Sequence, residues 1–125
     1  TYTPTYEESF MASDCLFCKI IAGDIPSNEV YSDDDVYAFY DINPATPTHV
    51  LIIPKKHLTD INEANLEDTA LLGKLLLKAN EIAASLGLTQ DGFRYVINTG
   101  KDGGQTVFHL HLHILGGRAL GWPPG

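Results

Sequence analysis

The sequence predicts an α+β fold: a five-stranded antiparallel sheet with one long and one short helix. Three observations carry this expectation. One segment, Leu66 to Leu86, repeats its apolar residues at helical spacing. Several short runs are rich in β-branched and aromatic residues, and turn residues separate them closely enough for hairpins. Strands and helices do not alternate regularly, so a parallel sheet is not indicated.

The chain has 125 residues, with 8 Lys and Arg against 16 Asp and Glu and a formal net charge of −8. That length suits one domain with a sizeable core. The longest apolar run, Val50 to Pro54, is far short of the about 20 residues a membrane-spanning helix needs, so no membrane role is expected. The acidic balance argues against nonspecific nucleic-acid binding, which depends on clustered Lys and Arg. A bound nucleotide would have to be held by backbone amides and a few placed side chains. Thr1–Phe10 is polar and aperiodic and Met11 looks like a natural start. Residues 1–13 are therefore read as a disordered N-terminal extension and 14–125 as the domain. Two cysteines are too few for a disulfide framework, and no charged-then-apolar leader precedes them. A reducing, cytoplasmic location is expected.

Asp14 can cap a short helix through about Ala22, which Gly23 would end in a left-handed conformation. Asn28–Tyr31 and Val36–Tyr40 are strands joined at Ser32-Asp33-Asp34-Asp35. Pro44 and Pro47 interrupt the chain. His49–Ile53 is a strand apolar on both faces, stopped by Pro54. Asn65 and Asp68 resemble a capping box for the long helix, in which Leu71, Leu75, Ala79, Ile82 and Leu86 form one stripe that Leu72, Leu76 and Ala83 widen. Gly87 closes it. Phe93–Thr99 and Val107–Leu115 are the last two strands, joined by Gly100 to Thr106.

The chemistry concentrates in His109-Leu110-His111-Leu112-His113. Side chains alternate along a strand, so three imidazoles would share one face and Leu110, Leu112 and Ile114 the other. Each buried imidazole needs a hydrogen-bond partner, which makes three on one face an unusual choice for mere packing. Catalysis near neutral pH and zinc ligation both suit this arrangement. Gly103-Gly104-Gln105-Thr106 leads directly into the histidines, and its glycines would let backbone amides approach an anion. Cys15 and Cys18 share one helix face. They fit a metal site, two small buried apolar residues, or a redox pair.

The run Gly104-Gln105-Thr106-Val107-Phe108-His109-Leu110-His111-Leu112-His113-Ile114-Leu115 closely resembles the histidine-triad (HIT) signature, three histidines alternating with apolar residues. Asp41-Ile42-Asn43-Pro44, and Pro47-Thr48-His49 continuing through Pro54-Lys55-Lys56-His57, resemble the family's other hallmark. Gly116-Gly117-Arg118 and the ending Trp122-Pro123-Pro124-Gly125 are similar to the histidine-triad nucleotide-binding (Hint) branch. The resemblance extends from Asp14 to Gly125.

It implies a homodimer in which two five-stranded sheets join into one of ten, with the Trp122 tail reaching the partner subunit. The implied activity is hydrolysis of purine nucleoside phosphoramidates and aminoacyl-adenylates to AMP. His111 would be the nucleophile, forming a nucleotidyl-histidine. His113 and Thr106 would contact phosphate and deliver a proton, His49 would sit behind the triad, and His109 would complete it. Thr106 departs from the serine usual in that branch. The resemblance assigns Asp41 to ribose, although an Asp before Asn43-Pro44 also suits a turn. Phe39 and Ile42 would wall the base. Asn98, Gly104, Gln105 and Thr106 would lie at the phosphate. No cofactor is required for catalysis, but a structural zinc is implied at Cys15, Cys18, His49 and His109. Lys55 and Lys56 read as solvated surface, and His57 as structural or solvated. Two other readings stay open: a dinucleoside polyphosphate hydrolase, against which Leu115-Gly116-Gly117 replaces that branch's Pro-Arg, and a zinc-stabilised nucleotide-binding scaffold.

Overall fold

The structure, a computed structural model, describes residues 14–125. The expected N-terminal extension, residues 1–13, lies outside the described residues. In chain order the elements are helix α1 (Leu16–Ala22), strands β1 (Glu29–Ser32), β2 (Val36–Tyr40) and β3 (Thr48–Pro54), helix α2 (Thr69–Ser85), and strands β4 (Phe93–Val96) and β5 (Leu112–Gly116). The five strands form one antiparallel sheet in the order β1-β2-β3-β5-β4. Among the described residues, no helix is long and apolar enough to cross a membrane.

The sheet separates two cores by strand parity. Val36, Ala38, Val50, Ile52, Leu112 and Ile114 pack against Leu75, Ala79, Ile82 and Ala83 of α2. The alternate residues Tyr37, Phe39, Leu51 and Ile53 pack against Cys15, Phe17 and Ile20 at α1. This second face carries the chemistry. The helical stripe is thus largely the expected one, but Leu76 is 48% exposed and lies outside the core.

Several boundaries have local causes. Gly23 ends α1 at φ 85° as expected, but Cys15 rather than Asp14 is the cap, its Sγ accepting the Cys18 N–H at 3.3 Å. The Asn65 and Asp68 capping box forms in full, on a 3-10 turn at Leu66–Asp68 that precedes α2. Lys56 is not simply solvated: its Nζ lies 2.6 Å from Oδ1 of the buried Asp68. The last strand begins at Leu112, not Val107. Upstream of it, the Leu110 N–H donates to the Leu58 carbonyl and His109 turns into the Cys15 side of the molecule, so ladder pairing is not available there.

Candidate active site and metal cluster

His109, His111 and His113 all lie on the α1 side, yet they enter two environments. The His111 ring stands edge-on to Phe17 at 5.2 Å and lies 5.0 Å from the His113 ring. His111 and His113 help line a cavity of about 800 Å³, together with Phe39, Asp41, Ile42 and Thr106. Leu16, Phe17 and Ile20 of α1 form one wall. Apolar residues dominate the lining, with a few polar groups gathered near the histidines, which is the usual composition of a small-molecule site.

Hydrogen bonds fix the ring tautomers. His111 Nδ1 lies 2.7 Å from its acceptor, the His109 carbonyl, so the hydrogen is on Nδ1 and the Nε2 lone pair is free. His49 Nδ1 accepts the Ala45 N–H at 3.0 Å, which places the His49 hydrogen on Nε2. That Nε2 lies 2.9 Å from His113 Nδ1 and 3.4 Å from Asp41 Oδ2. The hydrogen of His113 must then sit on its Nε2, which is buried without a protein partner among the described residues. Burial pushes the pKa of His111 below its ordinary value and that of His113 down to about 4. His49 is lowered by burial as well, against the opposing pull of Asp41. All three rings are neutral at pH 7, one offering a lone pair and one an N–H.

Asp41 shapes the turn that one sequence reading expects, its Oδ1 accepting the Asn43 N–H at 2.8 Å, and also faces the cavity. Ile42 is 91% exposed at the cavity rim and is not part of either core. Three expected ligand residues are engaged elsewhere. Gln105 is buried, with Oε1 accepting from Gly100 N and Nε2 donating to the Thr59 and Val107 carbonyls. Asn98 donates to the Gly103 carbonyl at 2.7 Å. Gln105 and Asn98 therefore shape the Gly100–Thr106 bend, and Gly104, at φ 80°, is not among the residues that line the cavity. Gly103 is required by space: a Cβ there would lie 2.4 Å from the Thr99 carbonyl oxygen.

His109 does not line the cavity either. It is fully buried, its Nε2 donates to the Pro54 carbonyl at 2.8 Å, and its Nδ1 lies 3.3 Å from Cys15 Sγ and 3.5 Å from Cys18 Sγ. His57 completes this group, with Nδ1 3.3 Å from Cys18 Sγ and 3.2 Å from His109 Nδ1. The expected ligand set of Cys15, Cys18, His49 and His109 is thus corrected at one position. His49 opens β3 beside Asp41 and His113, whereas His57 follows the other end of that strand and meets the cysteines. A seven-residue strand separates the two, so His49 cannot reach.

The four donors fit a tetrahedral ion. Zinc bonds near 2.3 Å to sulfur and 2.0–2.1 Å to nitrogen place S and N roughly 3.6 Å apart and two N roughly 3.3 Å apart. The His109 Nε2–H bond to Pro54 leaves Nδ1 as a lone-pair donor, the orientation a metal ligand needs. Burial and the adjacent Cys15 push the Cys18 thiol up to about 12, and burial drops His109 to about 4.

A family model described as the HIT domain matches residues 22–120. The chain belongs to the HIT domain family. An uncharacterised HIT-like protein of Synechocystis is 61% identical over 115 residues, covering 92% of this chain and 100% of that protein. A protein of Escherichia coli named purine nucleoside phosphoramidase is 47% identical over 111 residues, covering 89% of this chain and 93% of its own. The crystal structure of a HIT family hydrolase from Legionella pneumophila superposes with a TM-score of 0.88 at 51% identity, covering 89% of this chain and 99% of that one. The HIT assignment accounts for the α+β sheet, its two helices and the triad spacing together.

Proposed function

We propose that this chain is a purine nucleoside phosphoramidase of the Hint branch, hydrolysing adenosine 5′-phosphoramidates and aminoacyl-adenylates to AMP. The observation that carries the reading is the His111 tautomer, with Nδ1–H tied to a backbone carbonyl and a bare Nε2 on a nucleoside-sized cavity. The 47% identity to a protein bearing that name supports it.

In the first step, His111 Nε2 attacks the α-phosphorus and the phosphorus–nitrogen bond breaks. The leaving amine takes a proton, for which His113 Nε2–H and the Thr106 hydroxyl are the available donors. In the second step, water attacks the nucleotidyl-histidine and gives its proton back to the group that protonated the amine, the phosphorus–Nε2 bond breaks, and AMP leaves with His111 neutral again. Thr106, the one residue of the Gly103–Thr106 bend that lines the cavity, meets the phosphoryl oxygens, Asp41 accepts from ribose hydroxyls, and Phe39 and Ile42 wall the base. His49 and His109 act through other groups: His49 sets the tautomer of His113, and the His109 carbonyl sets that of His111.

Zinc held by Cys15, Cys18, His57 and His109 would tie the start of α1 to the sheet, a structural rather than a chemical contribution. The working form is a homodimer in which two five-stranded sheets join into one of ten, with the exposed Trp122 against the partner subunit, in the cytoplasm.

His111→Ala should abolish turnover of an adenosine phosphoramidate while AMP still binds and the protein stays folded. Near-wild-type hydrolysis by that variant would overturn the assignment. A panel adding an aminoacyl-adenylate and a diadenosine polyphosphate fixes the substrate class, and preference for the last would replace the phosphoramidase reading.

A further inference from the structure

The donors Cys15, Cys18, His57 and His109 lie outside the cavity, but two residues that line it, Phe17 and His111, are joined to them. Two of them flank Phe17 at the start of α1, and Phe17 is part of the cavity wall. Its ring stands edge-on to Phe39 at 5.4 Å and to His111 at 5.2 Å. A helix of seven residues is too short to hold itself in water, so α1 stays in place only through what docks it. Its anchors are Phe17, Ile20 and the two sulfurs, one of which also caps the helix. On the sheet side, His109 carries both a cluster nitrogen and the carbonyl that fixes His111.

We propose that a divalent metal ion at Cys15, Cys18, His57 and His109 controls nucleotide affinity from outside the cavity, by seating α1 so that Phe17 closes the wall and buttresses His111. Phe17 is then a positioning residue, and the ion contacts neither nucleotide nor attacking nitrogen. The inference rests on the proposed nucleotide and zinc readings. Both ligands favour the seated helix, so each must tighten the other by the same factor.

The probes are Zn²⁺ and AMP on the full chain. Calorimetry should give an AMP Kd about tenfold weaker for chelator-stripped protein, corresponding to a seated population near a tenth. Backbone amides of Leu16–Ala22 should exchange more slowly after zinc is restored. Competition with a chromophoric chelator should show saturating AMP tightening zinc by the factor found for AMP. In Phe17→Leu, zinc should still bind but that mutual tightening should vanish, which separates the proposed coupling from simple folding linkage if the stripped chain unfolds. Equal AMP affinity in stripped and loaded protein, or equal coupling in wild type and Phe17→Leu, overturns the proposal. Absence of AMP binding in either form, or of zinc uptake, overturns it differently, by removing the nucleotide or metal reading beneath it.

Discussion

Replacing Gln105 distinguishes a residue that holds the active-site bend from one that reads substrate. Gln105 is 7% exposed and makes three hydrogen bonds, to Gly100 N, the Thr59 carbonyl and the Val107 carbonyl. Gln105→Met keeps nearly the same length and volume but removes all three. A buried hydrogen bond contributes about 1 kcal/mol net, and partners left unsatisfied add to the loss, so the change should cost roughly 2–4 kcal/mol. That is a large part of the about 5–15 kcal/mol available to a domain of this kind. Urea unfolding should show the midpoint falling with an unchanged slope. AMP affinity, measured where the variant is still folded, should fall far less than it would on losing a direct ligand. Stability within about 0.5 kcal/mol of wild type together with collapsed AMP binding would refute the reasoning and return Gln105 to the nucleotide.

Other perturbations probe other parts of the molecule. Gly103→Ala drives a Cβ against Thr99 backbone atoms at 2.4 and 2.9 Å, so the bend must shift. Since a misplacement near 1 Å can cost about 10²-fold in rate, kcat/KM should fall by that order in a steady-state assay. Ile42→Ser, at an exposed rim position, should raise KM several-fold while leaving kcat and the unfolding midpoint nearly unchanged. Asp33 predicts the acid limb of stability. Partial burial alone would raise its pKa, but hydrogen bonds from Tyr31, the Asp35 and Val36 amides and Lys74 outweigh this and hold it well below the usual carboxylate value. A depressed folded pKa gives stability that is present above about pH 4 and lost as pH falls further. Asp33→Asn should flatten that limb in urea titrations from pH 5 downward.

Much of the fold was legible because single residues carry unambiguous local physics. Gly23 and Gly87 take the positive φ that ends each helix, Asn65 and Asp68 close their box, and the Leu75-Ala79-Ile82 spacing names the buried stripe. The cavity residues Phe39, Asp41, Ile42, Thr106, His111 and His113 were legible through the family motif. The misreadings share one cause: they concern residues whose partners are remote in sequence. His57, at the end of a Lys-Lys-His run, leaves a structural and a solvated role equally open until Cys18, 39 residues away, is placed beside it. Gln105 reads as part of a phosphate loop because Thr59, which claims its amide, is 46 residues upstream. The 107–111 segment has every β-forming residue, but Leu58 and Pro54 divert its backbone and side-chain bonds. His57 did carry one signal, its place shortly after the strand that aligns with the triad strand.

The parity of β3 has a consequence for what the gene can tolerate. Val50 and Ile52 serve the α2 core while His49, Leu51 and Ile53 serve the opposite face, over seven consecutive residues. Deleting a single codon there would invert the later side chains of the strand, thrusting an imidazole into the α2 core and a valine toward the cavity face. Point substitutions in this segment can be graded and repaired one at a time, but a frame-preserving indel cannot. Within this face-to-face arrangement β3 behaves as a ruler of fixed length.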